Sequence, residues 1–296
     1  VPLDAISVVL SALGFSGLVY GLSSIGLAAE SAALVPPWAP IAVGLGFLAA
    51  FVFRQFALQR RDAAFLDLRT FRTRTFSLAI VVFSLAMLMM FGFVITMPIY
   101  LQYALRQPTE VIGLIMLPGG LLMGLLGPFV GRLYDRFGPR PLVIPGALAV
   151  AASVWSFALL LDVNSSVWLV AAIQTLLFLG FAFVFPPLFT ASLGSLPMHL
   201  YSHGSALIAT IQQVAGAAGA AVFIALFTLS LAGSGTTNVT IAEPADIAAG
   251  AHVAFLAGAV ASLGIVVVAL LVRRPVAPEI SDAQLEAEVE TRAAGH

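Results

Sequence analysis

The sequence contains no cysteine and no lysine, and only 9% of its residues carry a charge. Without cysteine it can form no disulfide and do no thiolate chemistry, and the redox compartment cannot be read from it. Every basic residue is arginine, which reads as codon bias, since placement in a membrane does not require it. Enzyme signatures are missing as well. There is no Gly-x-Ser-x-Gly, no phosphate loop and no pair of carboxylates. His199 and His203 have metal-ligand spacing, but the string His-Leu-Tyr-Ser-His lacks the glutamate of a zinc-protease helix. The sequence therefore predicts no enzyme, no catalytic residues, no metal, no cofactor and no nucleic-acid partner. No signal-peptide shape precedes the first apolar run, which follows Val1-Pro2-Leu3-Asp4 directly. The chain reads as a piece of a longer protein.

What the sequence does have is apolar length. Sixty per cent of its 296 residues are hydrophobic, with a mean hydropathy of +1.06. A soluble domain cannot hide that much apolar surface, because a large share of any fold faces water. A hydrocarbon core of ~30 Å takes about 20 apolar residues of helix. Eight such runs are visible: Ala5 to Leu27, Trp38 to Phe53, Phe76 to Tyr103, Thr109 to Val130, Leu142 to Leu161, Val167 to Leu188, His203 to Leu231, and Ala248 to Val272. They are continuous rather than alternating, which selects helices over barrel strands. The expected fold is an all-α polytopic membrane bundle of eight transmembrane helices.

Arginine placement orients it. In an eight-span chain every arginine except Arg106 falls on one side, and basic loops stay cytoplasmic. The C-terminus is thus expected in the cytoplasm, and the protein in a bacterial inner membrane as a multi-pass chain. Residues 57–75 interleave arginines with Phe65, Leu66, Leu68 and Phe71. They read either as a basic helix on the membrane surface, near anionic headgroups, or as a solvated connector. Residues 273–296 read as a cytoplasmic tail.

The middles of the spans hold no Asp, Glu or Arg. Uncharged polar residues remain: Tyr100, Gln102, Gln174, Gln212 and Gln213. In lipid such groups face other helices or a wet cavity, so each is either interhelical glue or part of a solute path. Gly120, Gly124, Gly127 and Gly131 form one small-residue face. Gly204, Ala209, Gly216, Gly219 and Ala220 form another, and small residues allow close helix approach. Prolines 98, 118, 128, 186 and 187 permit bends.

The most specific string is Gly131-Arg-Leu-Tyr-Asp135-Arg136-Phe-Gly138-Pro-Arg140, between the fourth and fifth runs. Gly131 suits close helix contact and Gly138 a turn. Asp135 suits a pairing with a nearby arginine or a helix cap. This order resembles the cytoplasmic signature loop of the major facilitator superfamily, with Pro139 at a position often basic there. In that family the loop joins the second and third helices of a six-helix half. The resemblance implies that residues 1–56 are two additional helices, 57–75 a linker and 76–272 a complete C-terminal half. That arrangement looks like the fourteen-helix drug:proton antiporters. Pro98-Ile-Tyr100-Leu-Gln102 and Gln212-Gln213-Val-Ala-Gly216 agree with it.

The resemblance implies part of a secondary transporter, most simply a proton-coupled exporter of amphipathic drugs or lipid-like compounds working by alternating access. Its partners would be a small amphipathic substrate, membrane lipid, and protons coupled through an N-terminal half absent from this chain. Gly131, Asp135, Arg136, Gly138 and Arg140 would form a cytoplasmic latch. An importer or dedicated metabolite exporter, and a non-transporting scaffold or sensor, are the alternatives.

Overall fold

The structure is a computed structural model that describes residues 5–29, 36, 38–59, 67–236 and 238–271. Among these it forms eight α-helices: α1 (Ala5–Ala29), α2 (Trp38–Gln59), α3 (Arg74–Ile99), α4 (Thr109–Phe137), α5 (Arg140–Leu160), α6 (Val167–Gly194), α7 (Tyr201–Ala232) and α8 (Pro244–Leu271). Seven are long and apolar enough to cross a membrane by length and composition. α1 is apolar over Ile6–Leu18 as well. The chain is an all-α polytopic membrane bundle.

Several helices outrun the hydropathic runs. α4 has 29 residues, or roughly 43 Å at 1.5 Å per residue, against a hydrocarbon core of ~30 Å. The excess stays helical in the interface because a helix satisfies its own backbone. Trp38 and Trp168 are largely exposed. Each begins an even-numbered helix, so both mark the same membrane face, as interfacial tryptophans do.

α3 to α8 pack as two interleaved sets of three, α3–α5 and α6–α8. α3 packs along α7 and α6 along α4. α5 packs along α6 and α8 along α3. α5 meets α8, and α3 meets α6. Exchanging α3, α4, α5 with α6, α7, α8 maps these pairings onto one another, whereas α7 packs along α8 far more extensively than α4 along α5.

Aromatic rings fill the contacts. Phe93 stacks on Phe255 at 4.9 Å and touches Phe157 and Phe223 at 5.3 and 5.5 Å, joining α3, α5, α7 and α8. Phe83 stacks on Phe185, which stacks on Phe181, joining α3 to α6.

α1 and α2 form a hairpin docked through α1 on α7. A Cβ at Gly17 would lie 3.0 Å from the Gly44 Cα, and Gly14 and Gly21 meet Leu48 and Ile41 as closely. Gln55 Nε2 donates to Ser7 Oγ at 2.8 Å, and both residues are buried. These contacts run in one antiparallel register from Ser7–Gln55 to Gly21–Ile41. Beyond α2 the linker shows a 3₁₀ turn, Leu68–Arg72, capped by Asp67. Residues 60–66, within the proposed surface helix, lie outside the described residues, as does the tail.

α3 ends unusually. Pro98 carries no amide proton for the Val94 carbonyl. Beyond it the chain widens to a π-turn, Tyr100–Ala104, closed by Leu105 N–H to Tyr100 O and by Gln107 N–H to Leu101 O. Arg106 then takes φ +52°, the only described non-glycine residue at positive φ. That conformation costs an L-residue roughly 1–2 kcal/mol. Arg106→Gly is therefore expected to raise thermal stability by about 0.5–1 kcal/mol, measured on the solubilised protein.

Candidate functional site

The signature segment is a helix end, not a loop. Gly131 through Phe137 form the last two turns of α4, and only Gly138 and Pro139 separate it from α5. Gly138 sits at φ +80°, and its N–H donates to the Tyr134 carbonyl at 2.7 Å. A side chain would be strained there, so glycine is required. Arg140 opens α5, and its guanidinium donates to the Leu270 carbonyl at 2.8 Å. It thereby ties the start of α5 to the last described turn of α8, where the carbonyl-end dipole of a helix favours a cation.

This departs from the sequence expectation at three points. Arg140 is engaged within its own bundle. Asp135 lies in the last turn of α4, so it does not cap a helix start, and it makes no ion pair among the described residues. A Cβ at Gly131 would meet nothing within 4 Å, so that glycine serves no close contact here. The guanidinium of Arg136 lies 5.2 Å from the Phe137 ring centroid. Asp135, Arg136 and Arg132 remain exposed on the end of α4. Arg140→Ala should cost about 1 kcal/mol, the worth of one cation at the carbonyl end of a helix. Faster hydrogen exchange at the C-terminal turn of α8 should accompany the loss, with Arg140→Lys partly restoring protection.

The intramembrane polar residues do not converge on one point. Tyr100 is buried, and its hydroxyl donates to the Asp162 carbonyl at 2.6 Å. That bond pins the π-turn to the Asp162–Ser165 turn, where the Asp162 carboxylate accepts from Asn164 N–H and Ser165 O–H. Gln102 is exposed in the π-turn. On α7, Gln212 is half-buried and Gln213 exposed. Gln174 is fully buried on α6, and neither polar atom of its amide has a partner.

The sequence did not single out Thr96, whose buried hydroxyl also lacks a partner. A threonine in an apolar helix ordinarily bonds the carbonyl four residues back, so nothing in the sequence marks it. His199 lies in the 3₁₀ turn Met198–Leu200, whereas His203 on α7 accepts a 3.4 Å hydrogen bond at Nδ1 from the Asp67 N–H. The two histidines thus fall on different elements, and one of them ties the linker to α7.

The two glycine faces differ. On α7, Gly219 faces the Leu88 backbone, Gly216 faces Phe91, and Gly204 faces Leu196. On α4, added Cβ atoms at Gly113, Gly120, Gly124, Gly127 and Gly131 would meet nothing within 4 Å. Leu114, Leu117, Leu121 and Leu125 are exposed on the same helix. α4 therefore presents a long apolar surface that this bundle does not cover.

Comparison with known proteins adds to this geometry. The family model described as Major Facilitator Superfamily matches residues 4–220. A lincomycin resistance protein of Listeria monocytogenes is 37% identical over 76% of this chain and 46% of its own length. An uncharacterised major-facilitator-type transporter of Bacillus subtilis is 34% identical over 93% of the chain and 56% of its own length. A multidrug resistance protein B homolog of Mycobacterium tuberculosis is 30% identical over 76% of the chain and 41% of its own length. The chain spans about half the length of these curated relatives.

Proposed function

Since the chain belongs to the major facilitator superfamily, we propose that it is the C-terminal portion of a drug exporter driven by a proton gradient. The observation that carries this reading is the 37% identity to a protein named for lincomycin resistance. The structure supports it with an apolar interior whose polar groups are uncharged amides and hydroxyls, suited to amphipathic molecules. The described spans hold no acidic or basic residue at mid-depth. Proton coupling would then reside in the rest of the protein, across the uncovered face of α4.

In this reading α3 to α8 rock as a unit against that partner half, with the arginine-rich face in the cytoplasm. Asp135, Arg136 and Arg132 latch the cytoplasmic side across the two halves, while Gly138 and Arg140 hold the turn that aims them. Gln102, Gln174, Gln212 and Gln213 are the substrate-path residues. Tyr100 fixes the outer end of α3.

The test is export of lincomycin by the full-length protein in inverted vesicles carrying an imposed proton gradient. Gradient-dependent accumulation is expected. Asp135→Asn should lower the rate about tenfold, the equivalent of one charge-assisted hydrogen bond. No gradient-dependent flux in the wild type would end the efflux reading. An undiminished rate in Asp135→Asn would end the latch.

A further inference from the structure

Among the described residues, Gln174 alone buries two polar side-chain atoms, an amide nitrogen and an amide oxygen, without any partner. Burial of an unsatisfied amide is unfavourable, and such groups in native proteins require a reason.

The reason lies on α4. Gln174 shares a face of α6 with Phe178, one turn further along. Phe178 lies over Gly119 of α4, where an added Cβ would come within 3.1 Å of the Phe178 Cβ. α4 and α6 start from the same membrane face, so helical register sets buried Ile115 level with Gln174. The outer part of α4 thus packs against α6 at the level of the amide.

Nothing in the bundle holds α4 from its other side. Gly113 and Gly120 have no neighbour within 4 Å of an added Cβ, and Leu114 and Leu117 are exposed. Pro118, adjacent to Gly119, leaves the Leu114 carbonyl without its helical amide and makes a bend point there. A bend at Pro118 would lift the outer turns of α4, with buried Ile112 and Ile115, away from the level of Gln174.

We propose that Gln174 is a subsite for a neutral hydrogen-bonding group, a carboxamide or hydroxyl on an otherwise apolar molecule, uncovered when the outer part of α4 bends at Pro118. An amide offers a donor and an acceptor together, which complements such a group. A charged group would find no counter-charge there and would be left desolvated. The ligand half of this assignment rests on the export reading above; the lid half does not.

Two measurements on the full-length protein test it. For the lid, any cysteine elsewhere in the protein is replaced, and Gln174→Cys is labelled with a membrane-permeant maleimide in vesicles. Adding Pro118→Ala, which restores the helical hydrogen bond, should slow labelling at least about tenfold. Equal rates with and without Pro118 would overturn the lid. For the ligand, export of chloramphenicol, neutral with amide and hydroxyl groups, is compared with export of ethidium, a planar cation. Gln174→Leu should lower the chloramphenicol-to-ethidium ratio about tenfold without lowering thermal stability.

An unchanged ratio, or a wild type that moves ethidium but not chloramphenicol, would overturn the subsite. So would a loss of stability in Gln174→Leu, which would mark the amide as structural. A wild type that moves neither probe would end the export reading and the ligand assignment with it. The labelling result would still decide the lid.

Discussion

Adding one methyl group at Gly219 is expected to destabilise the solubilised protein by about 3 kcal/mol, the upper part of the usual overpacking range. The new Cβ would collide with the backbone carbonyl of Leu88 on α3. Side chains can rotate away from such a contact, but a helix backbone cannot. α3 and α7 would have to separate along the contact that joins the two sets of three helices. Gly124→Leu is a much larger change in volume, yet it should shift stability by no more than about 0.5 kcal/mol, because nothing in this bundle lies within 4 Å of that site. If the uncovered face of α4 slides against the partner half, Gly124→Leu should still stop export. Thermal denaturation of both variants, paired with vesicle transport of Gly124→Leu, checks this. A stable, folded Gly219→Ala would refute the α3–α7 geometry, and normal export by Gly124→Leu would refute the sliding face.

Phe93→Ala is the second large effect, at roughly 3–5 kcal/mol for an aromatic truncated in a core. Phe93 is fully buried, and its ring meets Phe255, Phe157 and Phe223 from three helices. Lipid is as apolar as those rings, so little of the loss is hydrophobic transfer. It comes from dispersion contacts given up around a cavity that the neighbours cannot collapse to fill. The value should fall toward the lower end for that reason. Leu159→Ala makes the control: Leu159 is largely exposed, and its truncation should change stability by less than about 0.5 kcal/mol. Thermal unfolding in one detergent compares the two variants. Equal losses would mean that the aromatic cluster does not hold the bundle.

The signature segment was legible in part. The order of Gly131, Asp135, Arg136, Gly138 and Arg140 pointed to the family that the comparisons then showed. Gly138 does make the turn. The reach of Arg140 to Leu270 was not legible, because it spans 130 residues of sequence and depends on α5 lying beside α8. Charge alone marked Arg140 as a cytoplasmic residue without saying what it touches. Tyr100 likewise looked like a polar end of a span until its hydroxyl was found on the Asp162 carbonyl, 62 residues away.

By itself the sequence determined the material and the count of elements. A bilayer demands long uninterrupted apolar runs whose backbones pair internally, so hydropathy reveals helices and arginines mark the loops between them. Only the tertiary structure decided which faces are occupied. Gly219 and Gly124 sit in similar small-residue stripes, yet one is pressed against a backbone and the other meets nothing. Gln55 and Gln174 are both buried amides, yet one bonds Ser7 and the other bonds nothing. Helical periodicity says which residues share a face. Which face meets a neighbour is set by the order in which distant helices pack, and that order is not written in any local stretch of the chain.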